Sequence, residues 1–145
     1  VIATDLRWIA ENARRMVGTP FRHQGRQPRA GLDCVGLVVC SIGGRAFDLD
    51  ERQYAEWPDG ARLQRILTEH FRPIECDYIE DLPAGAVISF AHQRDVCRAP
   101  RHLAIRTDAG MVHARRGDRR GVIETEFTDH WRRVFLRGWA WQDQY

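Results

Sequence analysis

Cys34 stands where a chain would place a nucleophile. It follows the loop Gly31-Leu32-Asp33 and opens an apolar run in which Val35, Val38, Val39 and Ile42 share one face of a helical repeat. Gly43-Gly44 supplies a stop. The spacing predicts a buried helix over about residues 33–42, with Cys34 in its first turn. Unpaired backbone N–H groups and the positive end of the helix dipole meet there, and both favour a thiolate. Such placement can bring a thiol well below the free value of roughly 8.5. The expectation is an activated thiol.

A cysteine hydrolase also needs a general base that later protonates the leaving amine, and a group that orients that base. His102 and His113 lie eleven residues apart on two consecutive stretches with strand character. Thr107-Asp108-Ala109-Gly110 reads as the turn between them. With a two-residue loop at Asp108-Ala109, Thr107 faces Gly110 and Ala104 faces His113. His102 and His113 then become diagonal neighbours on one sheet face. A slip of one residue would turn His113 to the other face, leaving a different polar residue or a water to orient the base. Blander roles compete: cysteine is a common core residue, and a histidine at a strand start is often only a surface group. A zinc site from Cys34, His102 and His113 would have three ligands and no closing fourth. The expectation is therefore no metal and no other cofactor.

These segments carry a resemblance. Gly18-Thr19-Pro20-Phe21, then Gly25, then Gly31-Leu32-Asp33-Cys34-Val35-Gly36-Leu37 resembles the opening of the NlpC/P60 cysteine peptidases. Leu82-Pro83-Ala84-Gly85-Ala86-Val87 is similar to that family's first strand approach. Arg101-His102-Leu103-Ala104-Ile105 with Val112-His113-Ala114 is similar to its histidine hairpin, and Gly121-Val122 fits the strand after it. The likeness runs from about Gly18 to Val122. It implies Cys34 as nucleophile, His102 as base and His113 as the residue orienting His102. Three departures stand out. Val35 replaces a serine after the nucleophile, Phe21 replaces a tyrosine, and the His102–His113 spacing of eleven is one short of the common pattern.

The elements that must position these residues follow from pattern. Leu6, Ile9, Ala10, Ala13 and Val17 predict an amphipathic helix over about residues 4–17, with Thr4 as N-cap. Residues 19–31 read as a loop and 45–60 as polar and irregular, with a turn at Trp57-Pro58-Asp59-Gly60. A second helix is expected from Ala61 to Phe71. Strands are expected at Val87–Phe90, His102–Arg106, Met111–Arg115, Val122–Phe127 and Val134–Trp139. Helices first and strands second make an α+β pattern. It suits a papain-like half-barrel, with a nucleophile helix packed on an antiparallel sheet. The 145 residues fit a single catalytic domain over residues 1–145.

Composition narrows the function classes. Apolar content of 43% and charged content of 29% are ordinary for a globular domain. No apolar run approaches the roughly 20 residues of a membrane span, so no membrane insertion is expected. The N-terminal residues lack the pattern of a signal peptide. A net charge of +2 gives no argument for nucleic acid. All 22 basic residues are arginine. Cys34, Cys40, Cys76 and Cys97 form no metal-binding spacing. A Cys76–Cys97 disulfide is conceivable, but buried free thiols are expected for the three besides Cys34.

The resemblance implies hydrolysis of an amide in peptidoglycan stem peptides, at the bond after γ-D-glutamate. Arg101 and Arg115 would meet substrate carboxylates, with Phe21, His23 and Asp33 also bordering the substrate. The basic cluster of Arg101, Arg115, Arg116, Arg119 and Arg120 could equally be a solvated face. His70, His92 and His130 read as ordinary residues, and Trp131, Trp139 and Trp141 as packing. A compact domain of this kind resembles peptidases carried in phage tails and gene transfer agents, so tail-tip proteins are expected partners and action in the periplasm or cell wall is the expected location. Two rivals remain: a catalytically silent tail component of the same fold, and an amidase or acyltransferase using the same dyad.

Overall fold

The structure is a computed structural model that describes residues 5–44, 60–93, 98–116 and 121–142. Thr4, Trp57 to Asp59, Cys97, Arg119 and Arg120 fall outside the described residues. In chain order the elements begin with α1 (Arg7–Arg15), the two-residue strands β1 (Arg26–Gln27) and β2 (Gly31–Leu32), and α2 (Cys34–Ile42). Next come α3 (Gly60–His70), β3 (Phe71–Ile74) and a single 3-10 turn (Ile79–Asp81). The chain closes with β4 (Val87–Ala91), β5 (Pro100–Thr107), β6 (Gly110–Ala114), β7 (Val122–Thr125), α4 (Asp129–Val134) and β8 (Phe135–Trp141).

Six strands form one antiparallel sheet in the order β3-β8-β4-β5-β6-β7. Alternation along the strands gives the sheet two apolar faces. Leu103 and Ile105 of β5, with Val112 and Ala114 of β6, join α1, α2 and α3 in the larger core. Ala104 and Met111 face the opposite way, into a smaller core with Ile88, Phe90 and Val134. The chain is thus α+β, with helices packed on an antiparallel sheet as expected. No helix among the described residues is long and apolar enough to cross a membrane.

Several boundaries shift. α1 starts at Arg7, whose backbone N–H donates to Asp5 Oδ1 at 3.0 Å. The loop over residues 19–31 contains the small β1–β2 hairpin, and Phe71 leaves the α3 helix to begin β3, where it pairs with Trp141. A short helix, α4, precedes the last strand where sequence periodicity is too brief to mark one. Cys34, Cys40 and Cys76 are free thiols. Cys40 and Cys76 are only partly buried, and the expected thiol state of Cys97 lies outside the described residues.

Candidate active site

α2 begins at Cys34 because Asp33 caps it. The Asp33 backbone is extended, and its Oδ1 accepts the Gly36 N–H at 2.8 Å. Its other oxygen accepts the Gln24 N–H at 2.9 Å. Arg26 completes the cap with an ion pair to Oδ1 at 3.0 Å. The Arg26 and Asp33 side chains are only 4% and 6% exposed, so this pair is locked inside the fold. Gly36 lets the preceding loop come this close: a Cβ there would lie 2.0 Å from the Gly25 carbonyl oxygen. The spacing of Gly25, Asp33, Cys34 and Gly36 is therefore a packing solution that fixes the start of α2. Asp33 borders the cleft, but its carboxylate is committed to this cap and ion pair.

α2 packs against β5 and β6. The Cys34 sulfur accepts backbone N–H groups from Leu103 and Val35. Leu103 directly follows His102, so the thiol sits against the strand beside the expected base. Among the described residues, no hydrogen bond joins the Cys34 sulfur to His102.

The histidine hairpin has the expected register. Thr107 pairs with Gly110, Arg106 with Met111 and Ile105 with Val112. No slip occurs, and the short spacing still places both imidazoles on one face. His102 Nε2 lies 3.0 Å from His113 Nδ1. His113 Nε2 lies 3.4 Å from the Thr125 hydroxyl on β7. This chain is compatible with the tautomers required of a base. For His102 Nδ1 to accept a proton, Nε2 must carry the hydrogen and donate it to His113 Nδ1. His113 then holds its own proton on Nε2, facing the Thr125 oxygen.

The electrostatics correct one expectation. Cys34 does not emerge as an acidified thiol. Burial pushes it up to about 12, and the neighbouring Asp33 carboxylate acts in the same direction. The two backbone donors and Arg26 oppose this without reversing it. Burial also takes His102 down to about 4, and His113 to about 3 with help from His102 and Arg115. These shifts favour a thiol and two uncharged imidazoles at neutral pH. Desolvation outweighs the helix dipole, a term of typically 0.3–1 kcal/mol.

One cavity of about 660 Å³ borders Cys34, His102 and His113. Phe21, His23 and Asp33 line it from the loop before α2, and Arg101 and Arg115 from the ends of β5 and β6. All the sequence-assigned site residues thus meet at one place. Other lining residues had not been assigned to the site, among them Thr125, His92, His130 and Trp131. Thr125 could have been found only from the β6–β7 register, where Met111 faces Thr125 and His113 faces Ile123. Trp131 packs against the smaller core as expected, and its ring also stacks on His102 at a centroid distance of 5.6 Å and 26°. Trp139 and Trp141 do serve packing. The Trp139 indole donates to Ser89 Oγ at 3.1 Å, and Trp141 meets Phe71 edge-on. Among the described residues, no group of three His, Cys, Asp or Glu side chains is arranged to hold a metal ion.

No protein-family profile matches the chain, and no curated protein sequence matches it significantly. Among solved structures, a Staphylococcus aureus protein of the NLP/P60 family, described as similar to lipoprotein, superposes with a TM-score of 0.61 at 18% identity. The match covers 96% of this chain and 42% of that one, so this chain spans about two fifths of its length. The fold is therefore NlpC/P60-like.

Proposed function

We propose that the chain is a cysteine hydrolase of amide bonds, with peptide stems of peptidoglycan as substrate. One observation supports this above the rest: Cys34 shares a cavity with a His102–His113 pair joined at 3.0 Å and backed by Thr125. A purely structural role does not require a thiol, an oriented imidazole and its orienting partner around one open cleft. The NlpC/P60-like fold agrees with the cell-wall reading.

The chemistry starts from neutral partners. As the Cys34 sulfur attacks the amide carbonyl carbon, its proton passes to His102 Nδ1. The carbonyl oxygen becomes an oxyanion, for which the Cys34 backbone N–H at the helix start is the assigned donor. His102 returns the proton to the amide nitrogen, the C–N bond breaks and the amine leaves. Water then gives a proton to His102, attacks the thioester carbon and releases the Cys34 thiolate, which takes the proton back. His113 and Thr125 hold His102 in the tautomer that each step needs. Arg101 and Arg115 border the cavity and would pair with carboxylates of an acidic peptide.

The test is digestion of purified peptidoglycan, with soluble fragments identified by mass spectrometry. New amino groups released by the native protein and absent with Cys34→Ala support the reading. The bond cut identifies the substrate position. Transfer of the acyl group to an added amine, in place of hydrolysis, would assign the same dyad to an acyltransferase.

A further inference from the structure

We infer that Trp131 is a positioning residue for the His102 base: its indole holds the imidazole in place and closes the His102–His113 hydrogen bond to water. The inference rests on the hydrolase reading above. Trp131 comes from α4, which packs against β4. Its ring centroid lies 5.6 Å from that of His102, nearly parallel, and 5.1 Å from that of His113, edge-on at 81°. The two imidazoles are themselves 5.1 Å apart. The indole therefore sits over the junction of the pair rather than beside one ring. Phe90, fully buried and opposite His102 in the β4–β5 register, packs against both Trp131 and His102.

This arrangement has two consequences. A stacked ring restricts rotation of His102 about its side-chain bonds, so that Nδ1 stays turned away from His113. The same ring excludes water from a hydrogen bond that would otherwise compete with solvent. Excluding water also disfavours the imidazolium, in line with the depressed protonation of both rings. The attraction of an indole face for a cation works the other way and is the smaller effect. Other titratable or charged groups lining the same cavity are Cys34 and Asp33 at the α2 start, Arg101, Arg115 and Arg116 on the hairpin, and His23, His92, Glu126 and His130 on the surrounding segments. None of these is removed by changing Trp131.

The experiment is a histidine-selective NMR titration of the native protein, W131F, W131A and W131L, with His102→Gln used for assignment. In the native protein and in W131F, His102 should remain neutral to below pH 5. In W131A or W131L its midpoint should rise by more than about one pH unit toward the free value of roughly 6.5. If W131A does not fold, W131L keeps an apolar side chain without the ring and serves alone. On a cleaved substrate, the two ringless variants should lose kcat at least about tenfold with little change in KM. The acid limb of their pH profile should move upward in parallel, and W131F should restore both. An unchanged His102 midpoint in folded W131A and W131L would overturn the inference. Absence of any amide hydrolysis by the native protein would defeat the hydrolase reading instead, while the titration would still decide the role of the indole.

Discussion

His102 and His113 meet through Nε2 and Nδ1 at 3.0 Å, although they sit on different strands and are not directly paired in the register. The contact is diagonal, as hairpin geometry allows for long side chains. It turns Nδ1 of His102 away from His113, whose other ring nitrogen faces Thr125. Three residues on three adjacent strands thereby form one hydrogen-bonded chain that is compatible with the tautomer a base would need.

Loss of catalysis should grade along this chain. His102→Ala should reduce kcat by about 10²–10⁴-fold, the usual contribution of a general acid–base. His113→Ala should cost less, about 10–100-fold, because His102 keeps its own ring. Thr125→Val should have the smallest effect, since the 3.4 Å contact is the longest of the three. Steady-state kinetics on a defined peptide fragment would check the order. Equal losses from Thr125→Val and His102→Ala would contradict it.

The buried Arg26–Asp33 pair gives a stability prediction. Arg26→Met should destabilise the fold by about 3–5 kcal/mol, because the Asp33 carboxylate is then left buried beside Cys34 without its counter-charge. Asp33→Asn keeps a good capping group while removing the charge. The double variant should therefore be more stable than Arg26→Met alone. Chemical denaturation of the four proteins completes the cycle.

pH should act on stability through the two imidazoles. Both have folded values below the unfolded value of about 6.5, so the unfolded chain binds protons first as pH falls. Their contribution is complete above pH 6.5 and declines as pH drops through the interval toward about 4 and 3. The loss should total on the order of a few kcal/mol. Replacing both histidines with glutamine should flatten this part of the stability profile, measured by urea unfolding between pH 4 and 7.

Gly36→Ala tests the packing of α2. Alanine is the better helix former by roughly 0.8–1.0 kcal/mol. The clash with the Gly25 carbonyl oxygen outweighs this gain, because the obstacle is backbone in a tight loop. The variant should be destabilised by about 1–3 kcal/mol, as for overpacked cores, and should lose activity through displacement of Cys34. A thermal melt and an activity assay on the same preparation would show both.

Much of this site was legible in the sequence. Asp33-Cys34 followed by a helical apolar run placed Cys34 at a helix start, and a turn at Asp108-Ala109 with strand alternation located the histidine pair. Those signals are local. What stayed hidden depends on distance or environment. Trp131 reaches His102 only after α4 docks on the sheet, and six helical residues carry too little periodicity to announce themselves. Thr125 depends on a register across a long connection. The raised thiol of Cys34 also depends on tertiary burial, which no local reading of a helix start includes.

The most direct test of Cys34 as the covalent nucleophile is intact-mass analysis of protein mixed with a purified peptidoglycan fragment and quenched in acid. The native protein should gain the mass of the acyl portion, mapped to Cys34, while the amine portion appears free in solution. Cleavage of the fragment by Cys34→Ala at the native rate would contradict the proposed chemistry.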